Sequence, residues 1–134
     1  MSACVRLRVA SECYAIPVEH ALEVADLAEV AAIPGARPEL LGVRNLRGQI
    51  LPVVDLARLL RIPRSGPPGR LLVTQAGDLQ AGLAVDEVCD VGELGDPTEE
   101  TESELLLGAT LTDGELVGVL DVPQVFASLQ RPPP

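Results

Sequence analysis

Residues 39–60 read ELLGVRNLRGQILPVVDLARLL, and residues 105–126 read LLLGATLTDGELVGVLDVPQVF. The second stretch repeats the first. Leu41-Gly42 falls on Leu107-Gly108, Gly48 on Gly114 and Asp55 on Asp121. Each step is 66 residues (108 − 42, 114 − 48, 121 − 55) in a chain of 134. A step near half the chain length marks an internal duplication, here with halves of about 1–66 and 67–134 inside one domain spanning 1–134. A half of that size would bury only ~60% of its unfolded surface by itself, so the halves are expected to pack on each other.

Each copy has the pattern of a hairpin followed by a capped helix. Val43 to Leu46 and Gln49 to Val54 flank Arg47-Gly48; Thr110 to Thr112 and Leu116 to Leu120 flank Asp113-Gly114, a strong two-residue turn signal. Asp55 and Asp121 then stand where a helix cap belongs, before LARLLRI and VPQVFASL, with Pro123 in the first turn of the second. Leu56, Leu59 and Leu60 share one face of the first helix, as do Val122, Val125, Phe126 and Leu129 of the second.

Outward from these copies, Val5, Leu7 and Val9 alternate with Arg6, Arg8 and Ala10, the period of a half-covered strand. Cys13 to Ile16 returns, Pro17 opens a short irregular or helical stretch, and Ala21 to Ala25 is extended again. Pro34, Gly35 and Pro38 mark a loop with at most one helical turn at Pro38–Leu41. PRSGPPG at 63–69 is a linker at the midpoint. Beyond it, Leu71 to Val73 and Gln80 to Val85 repeat the opening strands, Leu83 answering Ile16 at a step of 67 (83 − 16). Asp96 to Glu104 reads as an acidic, solvated connection and Arg131 to Pro134 as a disordered tail. Tyr14 and Phe126 are the only aromatics, so the interior must come from Val, Leu, Ile and Ala, which favours strands. The expectation is an all-β chain, a pair of small barrels with a few short helices.

Composition excludes several functions. A net charge of −10, with no basic stripe and almost no aromatics, argues against nucleic acid. No apolar run approaches the ~18 residues of a membrane span, and the N-terminus lacks a signal-peptide pattern, so no membrane insertion is expected. Three cysteines without metal-type spacing, Cys4, Cys13 and Cys89, fit a reduced, cytoplasmic protein. His20 is the sole histidine and is expected on the surface beside Glu19, so neither a metal nor another cofactor is implied. Ser11, Ser65, Ser103 and Ser128 lie in no G-x-S-x-G context, and no G-x-G-x-x-G or phosphate loop is present. The carboxylates are numerous, but Glu99 to Glu104 lack an apolar pocket to raise a pKa. No active site is legible.

Arg47 departs from the pattern. A tight hairpin favours Asn, Asp or Gly before the turn glycine because these tolerate positive φ; the second copy has Asp113 there and the first an arginine. Either the first turn is longer and Arg47 merely solvated, or a held guanidinium offers its donors to a carboxylate of this protein or of a partner.

The block GVRNLRGQILPVVDL, Gly42 to Leu56, resembles the CheW bacterial chemotaxis coupling proteins. The likeness extends to Tyr14-Ala15-Ile16-Pro17, Glu23-Val24, Gly82 to Val88 and Gly114 to Phe126, about residues 4 to 129 in all. It implies two five-stranded SH3-like barrels on a shared apolar core, barrels that need not coincide with the sequence halves. It also implies a non-catalytic scaffold joining the cytoplasmic signalling tip of chemoreceptors to the regulatory domain of a CheA-type histidine kinase. Carried over by position, the receptor contacts fall on Ala21, Glu23, Gly42, Asn45 and Arg47, with Val85 and Val88 in the second half; Val18, Ile50 and Pro52 are the kinase candidates. The connection between Val91 and Gly108 is shorter and more acidic than the family pattern, which leads to the expectation that kinase binding is weakened or lost. Two alternatives remain: an adaptor that binds receptor only, and a barrel that holds a small ligand.

Overall fold

The computed structural model describes residues 2–63 and 66–131. In the first half, β1 (Ser2–Val9) and β2 (Glu12–Pro17) form a hairpin, and a 3-10 turn (Val18–His20) leads to β3 (Ala21–Asp26). A loop then reaches the hairpin of β4 (Leu40–Leu46) and β5 (Gln49–Asp55), followed by α1 (Leu56–Leu59). The second half repeats the order with β6 (Arg70–Ala76), β7 (Leu79–Val85), β8 (Glu87–Leu94), β9 (Leu106–Thr112), β10 (Glu115–Leu120) and α2 (Val122–Gln130).

Two five-stranded sheets result, ordered β8-β1-β2-β10-β9 and β3-β6-β7-β5-β4. Replacing every strand by its repeat converts one order into the other. Each SH3-like barrel therefore takes a hairpin from one half and three strands from the other. The halves join in each sheet through one parallel pair, β2 with β10 (Cys13 opposite Val117) or β7 with β5 (Gly82 opposite Val53), and one antiparallel pair, β1 with β8 or β3 with β6. Neither sequence half contains a complete sheet.

This exchange explains the apolar runs CYAI, LLV and GLAV. Strands β2, β6 and β7 are buried on both faces, a setting that selects continuous rather than alternating apolar sequence. Cys13 and Ala15 point into the first barrel with Cys4, Leu94 and Val117, while Tyr14 and Ile16 point the other way. Leu51, Val53, Leu71, Val73 and Ala84 fill the second barrel. Between the barrels, Leu7, Ile16, Leu72, Leu83, Leu120, Val125 and Phe126 belong to one shared core that both helices cover.

The repeated glycines have a common cause. At Gly42 (φ 149°) the main chain passes against Ala31, and a Cβ there would lie 2.2 Å from the Ala31 carbonyl oxygen. Ala31 and Val43 exchange two hydrogen bonds, 2.8 and 2.9 Å, across this point. Gly108 (φ 147°) repeats the device against Glu99, which exchanges 2.9 and 2.8 Å bonds with Ala109. The acidic connection is exposed, as expected of a solvated segment, but Glu99 ties it to β9. Asp55 Oδ1 accepts from Ala57 N and Asp121 Oδ1 from Gln124 N, both at 3.2 Å, so both caps form.

Pro38–Leu41, where at most one helical turn was expected, holds a tight turn closed by Leu40 N donating to the Arg37 carbonyl oxygen at 3.0 Å, and Leu40 and Leu41 already belong to β4. Three readings need correction. The first helix has only four residues, because Arg61 turns to positive φ (60°) and ends it. Strand β8 was not anticipated, since its residues EVCDVGEL are mostly exposed and show no buried alternation. The sequence assigned His20 to the surface; it is half-buried, its Nδ1 3.0 Å from the Gln75 carbonyl oxygen. Arg64 and Ser65 of the midpoint linker, and Pro132 to Pro134 of the tail, lie outside the described residues.

Candidate functional site

Strand β3 ends one sheet and β8 ends the other, so each has one edge without a strand neighbour. The two flank a groove of about 390 Å³ walled by Val18, Leu22, Val24, Val88, Cys89 and Val91. Its walls are aliphatic and wet: Leu22 and Val24 are 48% exposed and Val91 65%. In β3 the alternation runs against the usual rule, with Ala21, Glu23 and Ala25 half-buried and the larger Leu22 and Val24 turned outward. Large aliphatic side chains gathered on a concave surface mark a place where another surface packs.

Leu22 and Glu23 also line a second hollow of about 360 Å³, bounded besides by Leu46, Arg47, Gln49, Val73 and Gln80. Here the Arg47 guanidinium pairs with the Glu23 carboxylate. Strand β3 and hairpin β4–β5 lie at opposite edges of one sheet, so this pair bridges the seam where the barrel closes. Arg47 is 70% exposed along its side chain and Glu23 32%, so the pair stabilises the fold by only ~0.2–1 kcal/mol. The pair holds the guanidinium against β3.

The turn beneath Arg47 is the tight two-residue form. Arg47 and Gly48 have φ of 50° and 85°, and their counterparts Asp113 and Gly114 have 51° and 77°. Of the two readings of this turn, the longer, loosely solvated one is overturned. Asn45 Oδ1 accepts a 2.9 Å hydrogen bond from Gly48 N. The other barrel's seam is charged differently. Asp90 corresponds to Glu23 (90 − 23 = 67) and Asp113 to Arg47, two acids, and Arg6 of β1 reaches both, at 3.0 and 3.8 Å. The duplicated hairpins thus share a backbone and differ in charge.

Among the residues singled out from sequence, Glu23 and Arg47 meet, and Ala21, Glu23, Val18 and Val88 all line the groove. Val85 does not belong with them: it is fully buried in the shared core, where β7 has no solvent face. Gly42 is buried as well, and its place is explained by the close pass of Ala31. Asn45 is exposed but its side chain is engaged in the turn. The kinase candidates form no separate face: Val18 is in the groove wall, while Ile50 stands directly opposite Asn45 and Pro52 opposite Val43 on the same hairpin. Leu22, Val24, Val91 and Arg6 were missed. Leu22 and Val24 carried a signal, the period-two alternation of β3, but alternation alone says apolar residues face inward.

Catalytic chemistry finds little support here. The Tyr14 hydroxyl donates to Glu12, and burial followed by that bond pushes the phenol well above its usual range, so it stays neutral. Burial likewise raises the thiols of Cys4 and Cys13, the reverse of what a nucleophile needs. Among the described residues no group of three or more His, Cys, Asp or Glu is placed to hold a metal ion. Among the same residues no helix is long and apolar enough to cross a membrane.

A scaffold with a wet apolar groove at the junction of two barrels is the class this architecture defines. The comparisons with known proteins agree. The family model for the CheW-like domain matches residues 3–130, and the chain belongs to that family of chemotaxis adaptors. It is 27% identical over 137 residues to a chemotaxis protein CheW of Rhizobium meliloti, covering 95% of this chain and 88% of that one. It is 30% identical over 128 residues to the chemotaxis protein CheW of Helicobacter pylori, covering 88% of this chain and 77% of that one. Its fold is similar to the crystal structure of the scaffolding protein TtCheW from Thermoanaerobacter tengcongensis, with a TM-score of 0.82, 25% identity, and coverage of 90% and 88%.

Proposed function

We propose that this chain is a non-catalytic scaffold, acting in the cytoplasm, that couples chemoreceptors to a CheA-type histidine kinase. The receptor's cytoplasmic signalling tip lies in the groove between β3 and β8 and reaches Arg47. The observation carrying this reading is the mostly aliphatic groove whose Glu23 also holds the Arg47 guanidinium in the adjoining hollow: apolar walls supply the affinity, and one charge beside them sets the register. Coupling needs two surfaces whose occupancies influence each other and no reacting group.

Cys89 provides the test. It is exposed and lines the groove, whereas Cys4 and Cys13 are buried. A receptor-tip hairpin bound in the groove should slow alkylation of Cys89 at least about tenfold at saturation, as full occlusion requires. Equal alkylation rates with and without saturating tip would overturn the assignment of the groove.

A receptor-only adaptor is the second reading. The segment 96–104 beside β9 is acidic and exposed, with only Pro97 and Ser103 half-buried, and offers no desolvated centre for a partner. Calorimetry with the isolated kinase regulatory domain separates the two readings: micromolar or tighter binding supports full coupling, and its absence supports the reduced adaptor.

A further inference from the structure

The two hairpins share only the glycine across the turn, and two of their differences, at the steps holding Asn45 and Arg47, go together. The β4–β5 hairpin has Asn45 and Arg47 where the β9–β10 hairpin has Leu111 and Asp113, each at the step of 66 (111 − 45, 113 − 47). Both turns have the same backbone, with Arg47 at φ 50° and Asp113 at 51°. Aspartate enters this left-handed region readily and a long unbranched cation does not. The Leu111 side chain has no acceptor, so the second turn forms without help from that position. The first turn carries the unfavourable residue, and there Asn45 Oδ1 takes the Gly48 amide at 2.9 Å. Arg47 is 70% exposed along its side chain, so packing does not hold it; its backbone and the Glu23 carboxylate do.

We propose that Asn45 is the positioning residue for Arg47: it locks the left-handed turn that aims the guanidinium and makes no contact of its own with the partner. The role ascribed to Asn45 by family resemblance, a direct receptor contact, is replaced by an indirect one. The inference rests on the reading that Arg47 meets the receptor tip.

The test has two arms. In the first, tip affinity is measured for Asn45→Ala, Asn45→Asp, Arg47→Ala and the double variant Asn45→Ala/Arg47→Ala. Loss of one hydrogen bond's worth of ordering predicts about a fivefold weakening for Asn45→Ala. Asn45→Asp should restore affinity, because a carboxylate oxygen accepts the same amide. In the Arg47→Ala background, Asn45→Ala should change nothing further. Additive losses in the double variant would mean that Asn45 reads the partner directly, and the proposal falls.

The second arm needs no partner. In free, full-length protein, Asn45→Ala should accelerate hydrogen exchange at the Gly48 amide and shift the Arg47 Nε–H resonance, with Asn45→Asp reversing both. Unchanged Gly48 exchange in Asn45→Ala overturns the proposal. If instead Arg47→Ala leaves tip affinity intact while this arm behaves as expected, the functional role of Arg47 fails and the positioning by Asn45 stands.

Discussion

Gly42→Ala is the sharpest test of the duplicated architecture. The Ala31 carbonyl oxygen lies 2.2 Å from where the new Cβ would stand, and it is backbone that no side-chain rotation can move. To admit the methyl group, the loop carrying Ala31 must back away from β4, and the 2.8 and 2.9 Å bonds between Ala31 and Val43 are lost. Two hydrogen bonds at ~1 kcal/mol each give about 2 kcal/mol. Holding alanine at φ 149° adds about 1–2 kcal/mol. The expected loss is about 3–4 kcal/mol, a large fraction of the ~5–15 kcal/mol by which a domain is stable. Gly108→Ala is the internal control. Its Cβ would meet the Glu99 and Pro97 carbonyl oxygens at 2.9 and 3.0 Å, a far smaller overlap than at Gly42 although Glu99 is likewise bonded to β9, so a shift of a few tenths of an ångström suffices and most of its cost is the backbone term, about 1–2 kcal/mol. Urea denaturation of both variants, with m-values checked for constancy, measures the difference. A loss below about 1 kcal/mol for Gly42→Ala, or equal losses at both sites, would refute the close-approach argument.

Arg47→Glu should leave stability within ~0.5 kcal/mol of the parent, the ordinary range for surface changes, yet abolish receptor-tip binding; unaltered affinity of the purified variant sinks the site. Val91→Lys should weaken the tip at least tenfold by charging the groove wall, again with a near-parental melting curve; isothermal titration decides it. Residues 1–66 expressed alone should remain unfolded, because they hold only five of the ten strands and neither complete sheet; a well-dispersed amide spectrum would show independent folding. Arg37 donates to the carbonyl oxygens of Ser128, Leu129 and Arg131 at 3.1–3.2 Å, ending α2, and its Nε holds Glu39 at 3.0 Å. That bond from Arg37 holds the Glu39 carboxyl below its usual range, so its contribution is present above the unfolded pKa and lost as pH falls through the folded one. Arg37→Ala should therefore cost about 2 kcal/mol near neutrality, and Glu39→Gln should flatten the acid limb of the stability–pH curve by lowering its neutral plateau toward the acid value.

What the sequence determined by itself follows from local chemistry and from repetition. The Asp113-Gly114 turn and both aspartate caps depend on residues a few positions apart, whose backbone preferences do not wait for the fold, and the 66-residue step is read by repetition alone. The Gly42 to Leu56 block was specific enough to carry the family and to single out Arg47, which the structure pairs with Glu23. What only the tertiary structure decided are relations between distant strands. Which half supplies which strand is one, since the parallel joins of β2 to β10 and β5 to β7 leave no local trace. Which valine is reachable is another: Val85 and Val91 look equivalent as letters, yet β7 is covered on both faces and β8 on one. The outward-turned Leu22 and Val24 are the clearest case. Their alternation was readable, but the side of β3 facing the core is set by its pairing with β6 and by the groove that β8 forms beside it.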